Sequence, residues 1–145
     1  MKKTVGKVLE LYLTYPGDTQ RSKATQITLN DGGVENDKFN SKELNRSVLL
    51  TALQSYEKAA SEGINLDEGA LGENILMDYN PTDLEDGTQL QIGDAVVAIT
   101  QLCTVCKGLT QINNKLPKLL KKDRGIFCKV VKEGNIKKGD LVYLL

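Results

Sequence analysis

The 145-residue sequence contains no histidine. Its absence removes the commonest metal ligand and the commonest general base, so any chemistry must rest on other groups. Cysteine is scarce as well, with only Cys103, Cys106 and Cys128. An odd and small count does not resemble a disulfide framework. A domain of this length also has no need of one, since it buries roughly 70% of the surface its unfolded chain would expose. No stretch approaches the roughly 20 apolar residues of a membrane helix. The opening Met1-Lys2-Lys3-Thr4 runs into Val5-Gly6-Lys7-Val8-Leu9-Glu10, which is not the unbroken apolar run of a signal peptide. A charge excess of one sign is missing too: 19 Lys and Arg balance 19 Asp and Glu, which gives no global pull towards nucleic acid or anionic membrane. Together these features predict a single domain, 1–145, in a reducing, cytoplasmic compartment, with neither nucleic acid nor membrane as partner.

Short apolar runs alternate with Gly, Asp and Asn punctuation, which predicts a meander or small barrel. Strands are expected over Val5–Leu13, Thr25–Leu29, Arg46–Leu50, Thr88–Ile92, Ala95–Thr100, Gly125–Val131 and Leu141–Leu145. Asn30-Asp31-Gly32-Gly33 reads as a turn. The best helix is Thr51–Ser61, with Ala52, Leu53, Tyr56, Ala59 and Ala60 as its apolar stripe and Gly63 as its stop. A second helix is expected over Leu116–Lys122, with Pro117 in its first turn. Gly93-Asp94 and Gly139-Asp140 each precede a strand, where the carboxylate can cap local N–H groups. Charge is spread unevenly. Lys115–Arg124 is basic, whereas Asp67-Glu68 and Asp83–Asp86 are acidic, so an anionic partner is expected to be small and held locally.

The sharpest chemical feature is Cys103-Thr104-Val105-Cys106-Lys107. A structural zinc site would need two more ligands, and Cys128 is the only Cys or His left. A redox pair would want the motif at a helix N-terminus inside a βαβ unit, which the β-rich surroundings do not supply. A single thiolate at Cys106, favoured by the charge of Lys107, would serve as ligand or nucleophile. All three cysteines can equally be small buried hydrophobes. Gly69-Ala70-Leu71-Gly72-Glu73-Asn74-Ile75 lets backbone N–H groups approach a phosphate or heterocycle, or it is a tight turn entering a strand. Asp31–Asp37 lacks the spaced ligands of a calcium loop. Arg46 and Arg124 stand beside apolar strands, where a guanidinium can hold an anion in its fork or form a surface ion pair.

In order, these segments resemble the MOSC family, named after the C-terminal part of molybdenum cofactor sulfurases. The matching pieces are Asp31–Asp37, Arg46–Leu50, Leu66–Ile75, Leu84-x-x-Gly87-x-x-Leu90-x-Ile92-Gly93-Asp94, Ile99-Thr100-Gln101 with Cys106 beyond, Arg124–Val131, and Gly134-x-Ile136-x-x-Gly139-Asp140. The resemblance implies a mainly β fold, a small, partly open barrel with two or three short helices. It implies a molybdenum–pterin cofactor, not pyridoxal phosphate, with Cys106 as metal ligand and catalytic residue. Lys38, Arg46 and Arg124 are the candidate phosphate-binding cations, and Gly72, Glu73 and Asn74 the candidate pterin edge. Two activities are consistent with it: reduction of N-hydroxylated compounds with electrons from a partner protein, or carriage of the cofactor or a Cys106 persulfide to a molybdoenzyme. A structural or regulatory role with buried cysteines is the third reading. The sequence departs from the family pattern at three points. Asn36 and Phe39 replace a glycine and a histidine, Leu49 replaces a polar residue, and Val105 replaces a proline.

Overall fold

The computed structural model describes residues 2–104 and 107–145. Cys106, with Val105, lies outside the described residues, and the cysteine expectation therefore concerns a position whose structure is not described.

In chain order the strands are β1 (Lys3–Leu13), β2 (Ser22–Ala24), β3 (Gln26–Asn30), β4 (Gly33–Val34), β5 (Val48–Ala52), β6 (Ile75–Met77), β7 (Gln89–Ile92), β8 (Ala95–Leu102), β9 (Ile126–Lys132), β10 (Gly134–Lys137) and β11 (Leu141–Leu144). The helices are α1 (Leu53–Ser61), α2 (Lys107–Ile112) and α3 (Leu116–Leu119), with a 3-10 turn at Leu44–Arg46. Seven strands form a ring in the order β11-β7-β8-β9-β5-β6-β1, which closes because β1 also pairs with β11. The long β1 makes closure possible: Lys3–Lys7 pair with β11, whereas Val8–Leu11 pair with β6. Register shifts in β1 and β8 supply the local bending that a closed sheet requires. β10, β3 and β4 form a separate three-stranded sheet.

The predicted mainly β barrel with a few helices is thus the architecture found, and it closes fully instead of staying partly open. Its interior is one cluster that includes Val8, Leu11, Leu29, Leu50, Ile75, Met77, Leu90, Ile92, Val97, Ile99 and Val142, all buried. A smaller cluster of Ala59, Ile64, Leu71, Leu109, Leu116 and Leu120 sits under the helices. β3 shows the expected alternation cleanly, with Ile27 and Leu29 inward. β5 is buried at every position, as a strand covered on both faces must be.

Several boundaries differ from the sequence reading. Thr51 and Ala52 end β5 and do not begin the helix, because they pair in parallel with Leu76 and Met77 of β6. The buried face of α1 is Ser55, Tyr56 and Ala59, while Leu53 and Ala60 face outward. Arg46 falls in the 3-10 turn ahead of β5. α3 stops at Leu119, and the chain then turns so that the Asp123 and Arg124 N–H groups both donate to the Leu120 carbonyl. β10 was not among the expected strands; its partner β3 lies more than a hundred residues away. The Asp140 carboxylate caps as anticipated, accepting from the Lys137 N–H at 2.8 Å. Among the described residues no helix is long and apolar enough to cross a membrane.

Candidate functional site

Residues from distant parts of the chain, mostly in loops, enclose a cleft of about 910 Å³. That is within the size range of small-molecule and cofactor sites. Its wall comprises Thr14 just past β1, Thr19–Arg21, Asp37–Phe39 with Lys42 and Glu43, Arg46, Ser47 and Leu49, Asp67–Ala70 with Gly72 and Asn74, Cys103, and Arg124 with Phe127. Five cations line it: Arg21, Lys38, Lys42, Arg46 and Arg124.

Three of them, Arg124, Arg46 and Lys38, are held by local chemistry. The backbone of Arg124 is tied down because its carbonyl accepts from the Thr51 hydroxyl at 2.8 Å. One residue earlier, the Asp123 carbonyl accepts from the Ser55 hydroxyl, and its carboxylate pairs with Lys58 at 2.7 Å. Arg124 Nε in turn donates to the Leu71 carbonyl at 3.0 Å, which clamps the Gly69–Gly72 loop. Gly72 has φ +83, so the glycine permits the left-handed turn beside Arg124. Arg46 lies over the Phe127 ring, 5.5 Å from its centroid, and pairs with Glu43 at 3.3 Å. The ion-pair reading of Arg46 is met by this contact, and the residue also lines the cleft. Lys38 Nζ donates to the Asp18 carbonyl at 3.1 Å.

The loop after β4 is organised by Asp37, which is 7% exposed. One carboxylate oxygen accepts from the Thr14 N–H at 2.7 Å and the other from the Phe39 N–H at 3.0 Å. Asn36 just before it has φ +67. The departure from the family glycine is thus conservative in conformation, because Asn tolerates the left-handed region best after Gly. Asn36→Val is expected to cost about 1–2 kcal/mol in urea denaturation, whereas Asn36→Gly should leave stability nearly unchanged. Since the Asn36 side chain is exposed, a loss of equal size in both variants would contradict the conformational account.

Of the residues singled out in the sequence, Lys38, Arg46, Gly72, Asn74 and Arg124 do meet in this cleft. Asn74, however, spends its amide on the backbone: Oδ1 accepts from the Leu49 N–H at 3.0 Å and Nδ2 donates to the Tyr12 carbonyl at 3.3 Å. It braces β5 against β1. Glu73 is fully buried and does not line the cleft, and burial pushes its carboxyl above the usual carboxylate range. Cys103 lines the cleft at 4% exposure. Cys128 points into the barrel core, its thiol pushed up by burial, and so matches the small-hydrophobe reading. Among the described residues no cluster of three or more Cys, Asp or Glu could hold a metal ion.

Sequence reasoning missed Arg21, whose side chain is 17% exposed and lies 3.6 Å from Asp37. No motif marks it, and only its place on the loop between β1 and β2 brings it to the cleft. Asp37 was noted only as the end of a glycine-rich stretch, although the Asp two residues ahead of an exposed Phe39 is a turn signal that could have identified it.

The fold is similar to that of the YuaD protein from Bacillus subtilis, at 15% identity and TM-score 0.82 over 100% of this chain and 98% of that one. It is similar also to YiiM from Geobacillus stearothermophilus (16%, 0.67, covering 100% and 75%) and to YiiM from Escherichia coli (17%, 0.69, covering 94% and 69%). No curated protein matches the sequence. Residues 25–143 match the MOSC domain, more than half of the chain, and the protein belongs to the MOSC domain family.

Proposed function

We propose that the cleft binds an anionic, pterin-type molybdenum cofactor, with Cys106 as the thiolate ligand, and that the protein uses it to reduce N-hydroxylated compounds. The observation that carries this reading is the convergence of Arg21, Arg46 and Arg124, from three distant parts of the chain, on one cleft of cofactor size. Guanidinium forks suit a phosphate, which accepts two parallel N–H bonds. The donor set fits the group in two further respects. Arg21 Nη1 makes no hydrogen bond among the described residues and stands 3.6 Å from the Asp37 carboxylate, which leaves it an N–H to donate to an anion. A soft thiolate suits a molybdenum–sulfur centre, for which histidine is unnecessary.

In this reading Arg21, Lys38, Arg46 and Arg124 hold the phosphate, and Gly72 lets the ring approach the backbone. When bound, molybdenum supplies two-electron oxygen-atom chemistry. Reducing an N-hydroxyl compound to the amine takes up two electrons and two protons and releases water, with the electrons delivered by a partner protein. Protein purified from a molybdenum-replete host is expected to carry molybdenum and pterin, and finding neither would defeat the proposal. Turnover of a hydroxylamine with an artificial electron donor then separates the reductase from a carrier of cofactor or persulfide sulfur, which would bind but not turn over. Arg124→Ala is expected to lower pterin retention roughly tenfold, the size of one lost charge-assisted contact. Undiminished retention in that variant would remove Arg124 from the site.

A further inference from the structure

Tyr56 and Glu73 do not line the cleft, yet they are bonded to the loop that does. Glu73 is 0% exposed, and its Oε2 accepts a 2.6 Å hydrogen bond from the Tyr56 hydroxyl. The same hydroxyl accepts from the Leu71 N–H at 3.5 Å. One oxygen on α1 therefore touches both residues that flank Gly72. The peptide between Leu71 and Gly72 is where Arg124 is received. Its carbonyl accepts from Arg124 Nε at 3.0 Å, and its N–H donates to the Gly69 carbonyl at 3.0 Å. Gly72, at φ +83, has no side chain to resist rotation of that peptide, and a flip would turn the Leu71 carbonyl away from the guanidinium. A fully buried carboxyl is costly, and an apolar pair of similar shape in its place is often no less stable. Stability alone therefore gives little reason for the Tyr56–Glu73 bond, whereas fixing one conformation of the loop does.

We propose that Tyr56 and Glu73 are positioning residues: by bracketing Gly72 they fix the Leu71 carbonyl, which aims the Arg124 guanidinium at the anion in the cleft. This deepens the anionic reading of the cleft, on which it rests, and does not depend on which anion is bound. Arg124 is then held at both ends from the same short segment of chain. The Ser55 hydroxyl and the Lys58 ammonium on α1 take the Asp123 carbonyl and carboxylate, and the Thr51 hydroxyl just before the helix takes the Arg124 carbonyl. Those bonds fix the backbone. Tyr56 acts on the other end, through Leu71, and fixes Nε. An arginine arranged in advance loses less rotamer freedom when the anion arrives, so it binds more tightly without any new contact. Neither Tyr56 nor Glu73 needs to touch the ligand for this.

The test uses the full chain with inorganic phosphate as the probe, so it needs neither molybdenum nor pterin. Tyr56→Phe removes one oxygen and keeps the ring. The Arg124 Nε proton, bonded to a carbonyl in the wild type, should exchange with water roughly tenfold faster in this variant by NMR, the size of one weakened hydrogen bond. Phosphate affinity by titration calorimetry should fall about threefold to tenfold, the cost of ordering one long side chain on binding. Because Tyr56 acts only through Arg124, adding Tyr56→Phe to Arg124→Ala should lower affinity no further. Glu73→Gln keeps an oxygen for the Tyr56 hydroxyl and should stay close to wild type in both measurements. Tyr56→Phe combined with Glu73→Met leaves no buried carboxyl unpaired; it keeps the fold and should show the same loss as Tyr56→Phe. Wild-type exchange and affinity in Tyr56→Phe or in that double variant overturn the proposal, and so does a further loss on top of Arg124→Ala. If Glu73→Gln falls as far as Tyr56→Phe, charge and not the hydrogen bond holds the loop, which overturns it too. Purified protein without pterin would defeat the cofactor and leave these comparisons standing, whereas a wild type that binds no phosphate overturns this inference as well.

Discussion

Cys106→Ser is expected to leave protein from a molybdenum-replete host with metal at background, whereas Cys103→Ser keeps most of it. A hydroxyl of pKa far above neutrality cannot replace a thiolate as a soft ligand, so removing the ligand sulfur should abolish retention and not merely weaken it. Cys103 stands differently. It is 4% exposed, its N–H donates to the Gly125 carbonyl at 2.9 Å, and it follows directly on β8, where serine can occupy nearly the same space. Metal analysis of both variants beside wild type reads the difference. Equal loss in the two would mean that the thiols act as a pair, and equal retention would remove cysteine from the metal site altogether.

Gly125→Ala should be the most damaging single-methyl change around the cleft. A Cβ at this position would lie 2.6 Å from the Leu50 carbonyl oxygen and 2.6 Å from Thr51 Oγ1. The first of these is backbone in a fully buried strand, which cannot swing aside. β9 would have to lift from β5 at the Leu50–Ile126 pair, and the Thr51 hydroxyl would lose its bond to the Arg124 carbonyl. Overpacking of this kind costs roughly 2–3 kcal/mol, or about 5–10 °C in Tm for a chain of this length. Because Arg124 is held from the same point, anion affinity should fall together with stability. A variant with wild-type Tm would show that the β5–β9 seam has slack the geometry does not suggest. The comparison with Arg124→Ala then separates the two effects, since that variant should lose affinity with a smaller loss of stability.

Much of the barrel was legible because its strands carry local signals. β3 alternates, β7 and β8 are joined across Gly93-Asp94, and β11 is entered through Gly139-Asp140, whose carboxylate caps its own turn. Where prediction failed, a distant partner overrode local preference. Thr51 and Ala52 sit in a helix-favouring sequence but are claimed by β6, and β10 is a strand through its pairing with the distant β3. The candidate site divides the same way. Arg46, Gly72 and Arg124 belong to recognisable segments, and their cleft-lining positions agree with that reading. Arg21 carries no signal, because its role comes from where the loop between β1 and β2 falls.

The lack of histidine, the balanced charge, the punctuated apolar runs and the ordered family segments were determined by the sequence alone, since each depends only on residue type and spacing. Barrel closure, the burial of Glu73 beneath Tyr56 and the gathering of three arginines were decided only by tertiary structure. These features join residues tens of positions apart, and no local propensity encodes which loops a closed sheet will bring together.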